Sequence, residues 1–282
     1  MPFILVGLAP KTQRSNLSVV LAVKDEGQQI RECLEQVRFA DEIVVVDMGS
    51  RDGTVEICRE FTDRVIQHDG GPHRLIHVNK NVGFEAAEGP WILNLDADER
   101  LTHALRDEIL RLLEAPENGV VAYALPFTHY FFGKYLRYGG FRGSLVRFFE
   151  KGKLRYPEDR AHSTPEVDGK VGQLENLVVH FNHRRIADFV RKMNLYTSSD
   201  APLTLEHGKG GLRNRPIPSH LRWKLFTAPL SVFWKRYVRH CGYRDGVHGF
   251  FAAVLLAFYQ FVEYAKVWEL KNVTSKQVEN RE

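Results

Sequence analysis

Three apolar runs that each close on acid set the tightest limit on how this chain can fold. Leu17-Ser18-Val19-Val20-Leu21-Ala22-Val23 leads into Lys24-Asp25-Glu26. Glu42-Ile43-Val44-Val45-Val46 closes on Asp47, and Trp91-Ile92-Leu93-Asn94-Leu95 closes on Asp96-Ala97-Asp98-Glu99. Runs of aliphatic and β-branched residues at this length read as strands covered on both faces. Between them, apolar residues recur at helical spacing, as at Ile30, Leu34 and Val37. Further helices are expected over 54–61, 76–88 and 102–114, with a short strand at 64–67. Strands alternating with helices require crossover connections. The expectation is an α/β fold with a mostly parallel central sheet and helices on both faces. Such sheets bind ligands beyond the carboxyl ends of their strands, so Glu26, Asp47, Asp96 and Asp98 are expected along one edge.

Past Gly119 the texture changes. Strands are expected at 120–127, 146–149 and 177–181, an aromatic and glycine-rich stretch at 130–141, and a helix at 186–199. Gly208-Lys209-Gly210-Gly211, with Pro216 and Pro218, reads as a linker. This divides the chain into an α/β domain over 1–205 and a basic, aromatic helical extension over 206–282. The formal charge of +4 is mild, but from Lys209 to Arg244 there are nine Lys/Arg and no Asp or Glu. Trp223, Phe226, Phe233 and Trp234 are interleaved with them. That pattern suits peripheral contact with an anionic membrane; it equally suits a solvated basic face whose aromatics pack on the first domain. Nucleic acid is not expected as a partner, because the acid-rich half would repel phosphate.

The apolar start, Met1 to Leu8, lacks the basic leader and length of a signal peptide. No run reaches about 18 uninterrupted apolar residues, so no spanning helix is expected. The nearest candidate, Gly249 to Tyr259, reads as a buried or interfacial helix. Three cysteines are too few and too scattered for a disulfide framework or a four-ligand zinc site, and they fit a reducing compartment.

Carboxylates at a strand end can hold a hard divalent cation. Mg²⁺ takes one or two protein carboxylates and completes its shell with water and phosphate oxygens. Asp96-x-Asp98 suits that role for Mg or Mn. The same acids also suit capping of the helical run that follows. Asp47 to Thr54 joins a strand to a helix through glycines that permit a tight turn. Asp47 could accept from a base or ribose, or the segment could be a plain turn capped by Asp52 or Ser50. There is no Walker lysine pattern and no G-x-G-x-x-G.

Val20 to Glu26, Asp47-Met48-Gly49-Ser50-Arg51-Asp52-Gly53-Thr54, Lys80-Asn81 and Leu95-Asp96-Ala97-Asp98-Glu99 together resemble an inverting family-2 glycosyltransferase of the GT-A fold. Val146-Arg147-Phe148-Phe149, His162, Val171-Gly172-Gln173-Leu174, His180 and Gly242-Tyr243-Arg244-Asp245-Gly246 resemble the bacterial lipopolysaccharide-core β-glucosyltransferase branch. The resemblance implies a nucleotide-sugar donor, with a UDP-sugar as the expected one, and a glycan or glycolipid acceptor. It implies a cytoplasmic enzyme, peripheral at the inner face of the inner membrane. Glu26 and Asp47 would contact the nucleoside, Asp96 would lie near ribose and metal, and Asp98 would be the main metal ligand. His180 falls where some relatives place another ligand; a structural histidine is the alternative. Lys80 would meet a phosphate, or be an ordinary exposed helix lysine. Arg147 would clamp a phosphate or acceptor anion, or form a surface ion pair. Met48 stands where many relatives carry a second acid or a small residue. Relatives often carry an acid directly after the histidine matching His162, and here that position is Ser163. The base that an inverting transfer requires is then sought among Glu158, Asp159 and Glu166, with Asp159 favoured. Two other readings stay open: a sugar-nucleotide-binding module without catalysis, suggested by Ser163, and a sugar nucleotidyltransferase, for which Lys24-Asp25-Glu26-Gly27 is a poor loop.

Overall fold

The computed structural model describes residues 16–69, 76–157, 164–207 and 221–274. Its elements run β1 (Leu17–Val23), α1 (Ile30–Gln36), β2 (Glu42–Asp47), α2 (Thr54–Arg59), β3 (Val65–Gln67), α3 (Ile76–Ala86), β4 (Trp91–Leu95), β5 (Glu99–Leu101) and α4 (His103–Glu114). There follow β6 (Val120–Phe131), β7 (Lys134–Tyr135), β8 (Arg142–Glu150), β9 (Leu154–Arg155), β10 (Glu166–Val167), β11 (Lys170–Gln173) and β12 (Val178–His183). The helices α5 (Ile186–His207), α6 (Leu221–Phe233) and α7 (Val247–Glu269) complete the order. The linker expected at 208–218 lies outside the described residues.

The main sheet has the order β3-β2-β1-β4-β8-β6-β12-β5. Its first four strands are parallel, as strand–helix alternation dictates. The sheet then turns mixed: β8 returns antiparallel to β4, and β5 pairs antiparallel with β12. The period of two along β1 sorts its side chains between two cores. Val19, Leu21 and Val23 face Ile30, Leu34, Leu105 and Ile109 of α1 and α4, while Val20 joins Val44 and Ile92 under Phe84 of α3. Both faces are thus covered by helices. Gly83 makes the α3 contact possible, because a Cβ there would sit 2.4 Å from Val20 Cγ1.

The chain divides into two compact units. One comprises residues up to Phe127 with Gly143–His180; the other comprises Thr128–Arg142 and the chain from Phe181 onward. The second unit therefore takes in the aromatic β6–β7 turn as well as the helices. In it, Phe131, Leu136 and Phe141 pack with Phe189 and Met193 of α5 and Ala252 of α7. The buried Asp245 carboxylate accepts from the Arg137 and Tyr138 amides at 2.9 and 2.8 Å. The Gly249–Tyr259 run lies inside α7, and Val247–Asn272 is long and apolar enough to cross a membrane by length and composition. The count of uninterrupted residues misses this because Gln260 and Glu263 break the run without lowering its average much.

Candidate active site

The first and second strand ends are laced together. Ser50 Oγ accepts from the Asp25 amide at 2.8 Å, and Asp25 Oδ1 accepts from the Arg51 amide at 2.8 Å. Asp52 Oδ2 accepts from the Gly27 amide at 2.9 Å, and Thr54 Oγ1 accepts from the Glu26 amide at 2.9 Å. Asp47 is buried, and its carboxylate accepts from the Gly49 and Ser50 amides at 2.9 and 3.0 Å. The turn after β2 is therefore built by Asp47 itself. Gly53 occupies the start of α2 with φ +84°, where a side chain would be strained. Glu26 is half-buried and its carboxylate accepts from Gln29 Nε2 at 2.5 Å.

The third strand end carries the charge cluster. The capping alternative for its acids does not hold: β5 intervenes before α4, and Thr102 Oγ1 is the cap, accepting from the Leu105 amide at 3.2 Å. Asp96 instead meets two cations. Lys80 Nζ donates to its Oδ1 at 2.7 Å, and Arg147 Nη2 donates to its Oδ2 at 2.6 Å. Arg147 Nη2 also donates to Glu99 Oε1 at 3.0 Å, and Glu99 Oε2 accepts from the Asp96 amide at 2.9 Å. Lys80 is thus no exposed helix lysine, and Arg147 forms no surface pair. Both are about nine-tenths buried or more, from α3 and β8. Burial alone would raise the Asp96 pKa, but Arg147 and Lys80 outweigh it and hold the carboxyl well below the usual range. Burial also opposes the Arg147 charge, and Asp96 and Glu99 restore it, leaving the guanidinium firmly protonated. Glu99 is pushed up, by burial first. Arg147 Nε is buried without a hydrogen-bond partner among the described residues.

Asp98 belongs to a different contact. His180 on β12 is aligned with Glu99 of β5, and its Nε2 lies 2.9 Å from Asp98 Oδ1. Burial lowers the His180 pKa, but the Asp98 hydrogen bond and the neighbouring acids reverse this and raise it. The two candidate metal residues are brought together, while Asp96 and Glu99 are engaged by fixed cations. Among the described residues no group of three or more His, Cys, Asp or Glu side chains is placed to hold a metal. The Asp98 carboxylate fits a hard cation that takes its remaining ligands from water and diphosphate, and His180 would add a nitrogen ligand once its imidazole is neutral.

The candidate bases fare differently. Asp159, Glu158, His162 and Ser163 lie outside the described residues. Glu166 is exposed on the small β9–β10 ladder, opposite Arg155. Glu99, at the centre of the cluster, is the site residue that sequence reasoning left without a role. Its place next to Asp98 at a strand end was the only signal for it. Cys33 and Cys58 are buried, and burial raises both thiols to about 12, which leaves them protonated and inert.

A family model of glycosyl transferase family 2 matches residues 18–165, which spans β1 to the region of the candidate bases. The chain belongs to glycosyl transferase family 2. This family-2 glycosyltransferase is 30% identical over 262 residues to the lipopolysaccharide core biosynthesis glycosyltransferase LpsC of Rhizobium meliloti (strain 1021), covering 90% of this chain and 92% of that one. It is 26% identical over 266 residues to an uncharacterised glycosyltransferase of Rickettsia typhi, covering 90% and 87%. Among solved structures, a mannosyltransferase from Pyrobaculum calidifontis in complex with GDP-Man and Mn²⁺ aligns with a TM-score of 0.48 at 15% identity, covering 92% and 88%. S. aureus TarS 1-349 aligns with a TM-score of 0.42 at 15% identity, covering 89% and 90%.

Proposed function

We propose that this glycosyltransferase moves a hexose from a UDP-sugar, with inversion, to a hydroxyl of a glycan or lipid-linked acceptor of the lipopolysaccharide-core type. One observation carries the donor side of the reading: Asp98 and His180 meet at the carboxyl end of the parallel strands, within 2.9 Å, beside an Asp96 already neutralised by its own cations. The acceptor class is drawn from the name of the Rhizobium relative.

In this reading Asp98 and His180 hold a divalent cation, Mg or Mn. When bound, the cation would supply charge neutralisation to the departing diphosphate. Glu26 and Asp47 line the nucleoside side, where the laced strand-end loops keep backbone groups at fixed positions. Asp96 faces the ribose. Lys80 and Arg147 act through Asp96: they keep it ionised and its two oxygens fixed, so it cannot swing toward a competing position. A carboxylate, Asp159 or Glu166, takes the proton of the acceptor hydroxyl. That oxygen then attacks the anomeric carbon from the face opposite the diphosphate. The enzyme works in the cytoplasm, in peripheral contact with the inner face of an anionic inner membrane.

Thermal melting with UDP, GDP and their hexose conjugates, each with Mn²⁺ or with EDTA, tests the donor site. A ligand at about 100 times its Kd stabilises the native state by about 2.7 kcal/mol. A shift of several degrees with UDP that disappears in EDTA is expected. A shift indifferent to EDTA would overturn the metal assignment, and no shift with any uridine nucleotide would overturn the donor. Tight donor binding without turnover on any core acceptor would favour a binding module, the reading that Ser163 suggests.

A further inference from the structure

The helices of the second unit sort their side chains in an unusual way. On α6 and the π-helical stretch that continues it, Trp234–Arg239, the residues Trp223, Phe226, Leu230, Trp234 and Val238 recur at intervals of three and four. Residues at that spacing form one stripe along a helix. All five are exposed, the first three to about two-thirds of their surface (69%, 67% and 68%). A second stripe, Val247, Phe251, Val254, Phe258 and Phe261, runs along α7 and is exposed as well. The side of α7 that is buried carries Gly249, Ala252, Ala253 and Ala257. A Cβ on Gly249 would come within 1.9 Å of the Gly242 carbonyl oxygen, so the backbones meet there.

Along α7 the residues buried between Gly249 and Ala257 are small, Leu255, Leu256, Tyr259 and Val262 are partly buried against the core, and the outer stripe is large and apolar, a distribution unusual for a helix pair in water. It is the arrangement of helices whose outer face meets hydrocarbon, where close packing of small residues replaces the hydrophobic effect between helices. Ten such side chains, about half exposed, amount to on the order of 1,000 Å², more than the few hundred Å² usual for the largest patch on a monomer.

Charge selects the occupant. Asp245 and Glu263 are the sole acids from residue 221 to 268, and both are buried. Asp245 is held by two amides, and Glu263 Oε1 accepts from Thr204 Oγ1 at 3.1 Å. Lys224, Lys235, Arg239 and Arg244 are exposed on the same helices. The surface is therefore apolar and cationic, with Asp245 and Glu263 turned inward and the exposed Glu269 at the last position of α7. The opposite side of α7 is committed to α5. Ala252 packs with Phe189 and Met193, Val267 packs with Ala201, and Lys266 Nζ donates to the Asn194 carbonyl oxygen at 2.8 Å. A spanning α7 would carry α5 and these polar groups into hydrocarbon, which is costly.

We infer that the α6–α7 face is a monotopic docking surface that lies in the plane of an anionic bilayer, with both aromatic stripes entering the acyl region and the Lys/Arg residues at the headgroups. This deepens the membrane part of the proposed function. Sugar-nucleotide turnover in solution is followed alongside, so that failure of docking is told apart from failure of the transferase reading.

The full chain is incubated with vesicles of phosphatidylcholine alone or with phosphatidylglycerol. Co-flotation, a blue shift of tryptophan emission and quenching by lipids brominated in the acyl chain are measured. Docking predicts flotation with the anionic vesicles, quenching, and binding that weakens but persists in high salt. The triple variant Trp223→Ser/Phe226→Ser/Leu230→Ser should lower the partition coefficient by about tenfold or more. Phe251→Ser/Phe258→Ser should do the same from the other stripe, with donor turnover unchanged in both. Four results would overturn the inference: no flotation; flotation abolished by salt without acyl-chain quenching, which indicates surface charge alone; a stable dimer that ignores vesicles, which makes the face a self-interface; and resistance to alkaline carbonate extraction, which indicates a spanning helix.

Discussion

The acid site of the first unit and the helical face of the second solve opposite problems. Around Asp96 the protein buries charge and satisfies it internally: two cations, two carboxylates and short hydrogen bonds in a region otherwise packed with Val, Leu and Phe. On α6 and α7 it turns aromatics outward and buries Glu263, leaving Glu269 exposed at the last position of α7. The first follows the ordinary rule that a buried charge must be paired. The second departs from the usual pattern for apolar residues, and the proposed bilayer contact would account for it. The paired charge inside motivates the proposed chemistry, and the apolar face outside motivates the proposed docking.

Breaking the first region should have the largest effect. Arg147→Met leaves half-buried Asp96 and buried Glu99 beside each other without their shared cation. Loss of one partner of a buried pair costs about 3–5 kcal/mol, and urea unfolding should show it. Arg147→Lys should recover part of that loss, because the charge returns without the second donor geometry. A neutral result for Arg147→Met would mean that the cluster is wetter than its burial implies.

Asp98→Ala separates the site's chemistry from its stability. Transfer should fall by about 10²–10³-fold, the scale seen when one group stabilising transition-state charge is removed. The melting temperature should fall by less than for Arg147→Met, since the Asp98–His180 contact is lost while Asp96 and Glu99 keep their partners. Initial rates with donor and acceptor check the first statement, and calorimetry checks the second. Full activity in this variant would sink the metal assignment.

Glycines compare the two packing schemes directly. Gly83→Ala forces α3 off Val20 in the first unit. Gly249→Ala drives a methyl into the Gly242 carbonyl in the second. Overpacking costs about 1–3 kcal/mol, and Gly249 should lie at the upper end, because backbone yields less than a valine methyl. Unfolding followed by separate probes for each unit would show which one each substitution weakens.

The smallest effect belongs to the exposed end of the same sheet edge. Burial raises the Asp52 pKa, but the hydrogen bonds from Thr54 and the Gly27 amide together reverse this and lower it. Its folded pKa then lies below its unfolded value of about 3.9. The stabilisation is present above that value and lost as pH falls through the folded pKa. Asp52→Asn should lower stability slightly at neutral pH and converge with the parent protein in acid. Melting temperatures between about pH 2 and 7 measure this.

The parallel half of the sheet was legible in the sequence because strands buried on both faces have no polar side to obscure them. The helix lengths were less so. Ile186 to Ser199 extends to His207, since helix ends depend on partners as well as propensity. The place of Asp96 and Asp98 at one strand end was legible. The cations that engage Asp96 were not: Lys80 reads as a surface residue in any helical stretch, and Arg147 lies 51 residues from the carboxylate it engages.

From its sequence alone the chain determined strands that must be covered on both faces, acids at their carboxyl ends, and a tail rich in Lys, Arg, Trp and Phe. Composition and local spacing suffice for these because they follow from the preferences of single residues and near neighbours. Tertiary structure decided that Asp96 is clamped while Asp98 meets His180, and that α7 turns alanine inward and phenylalanine outward. Those outcomes depend on which elements become neighbours. Charge pairing and face selection act over ångströms in space, between residues whose separation along the chain carries no record of it.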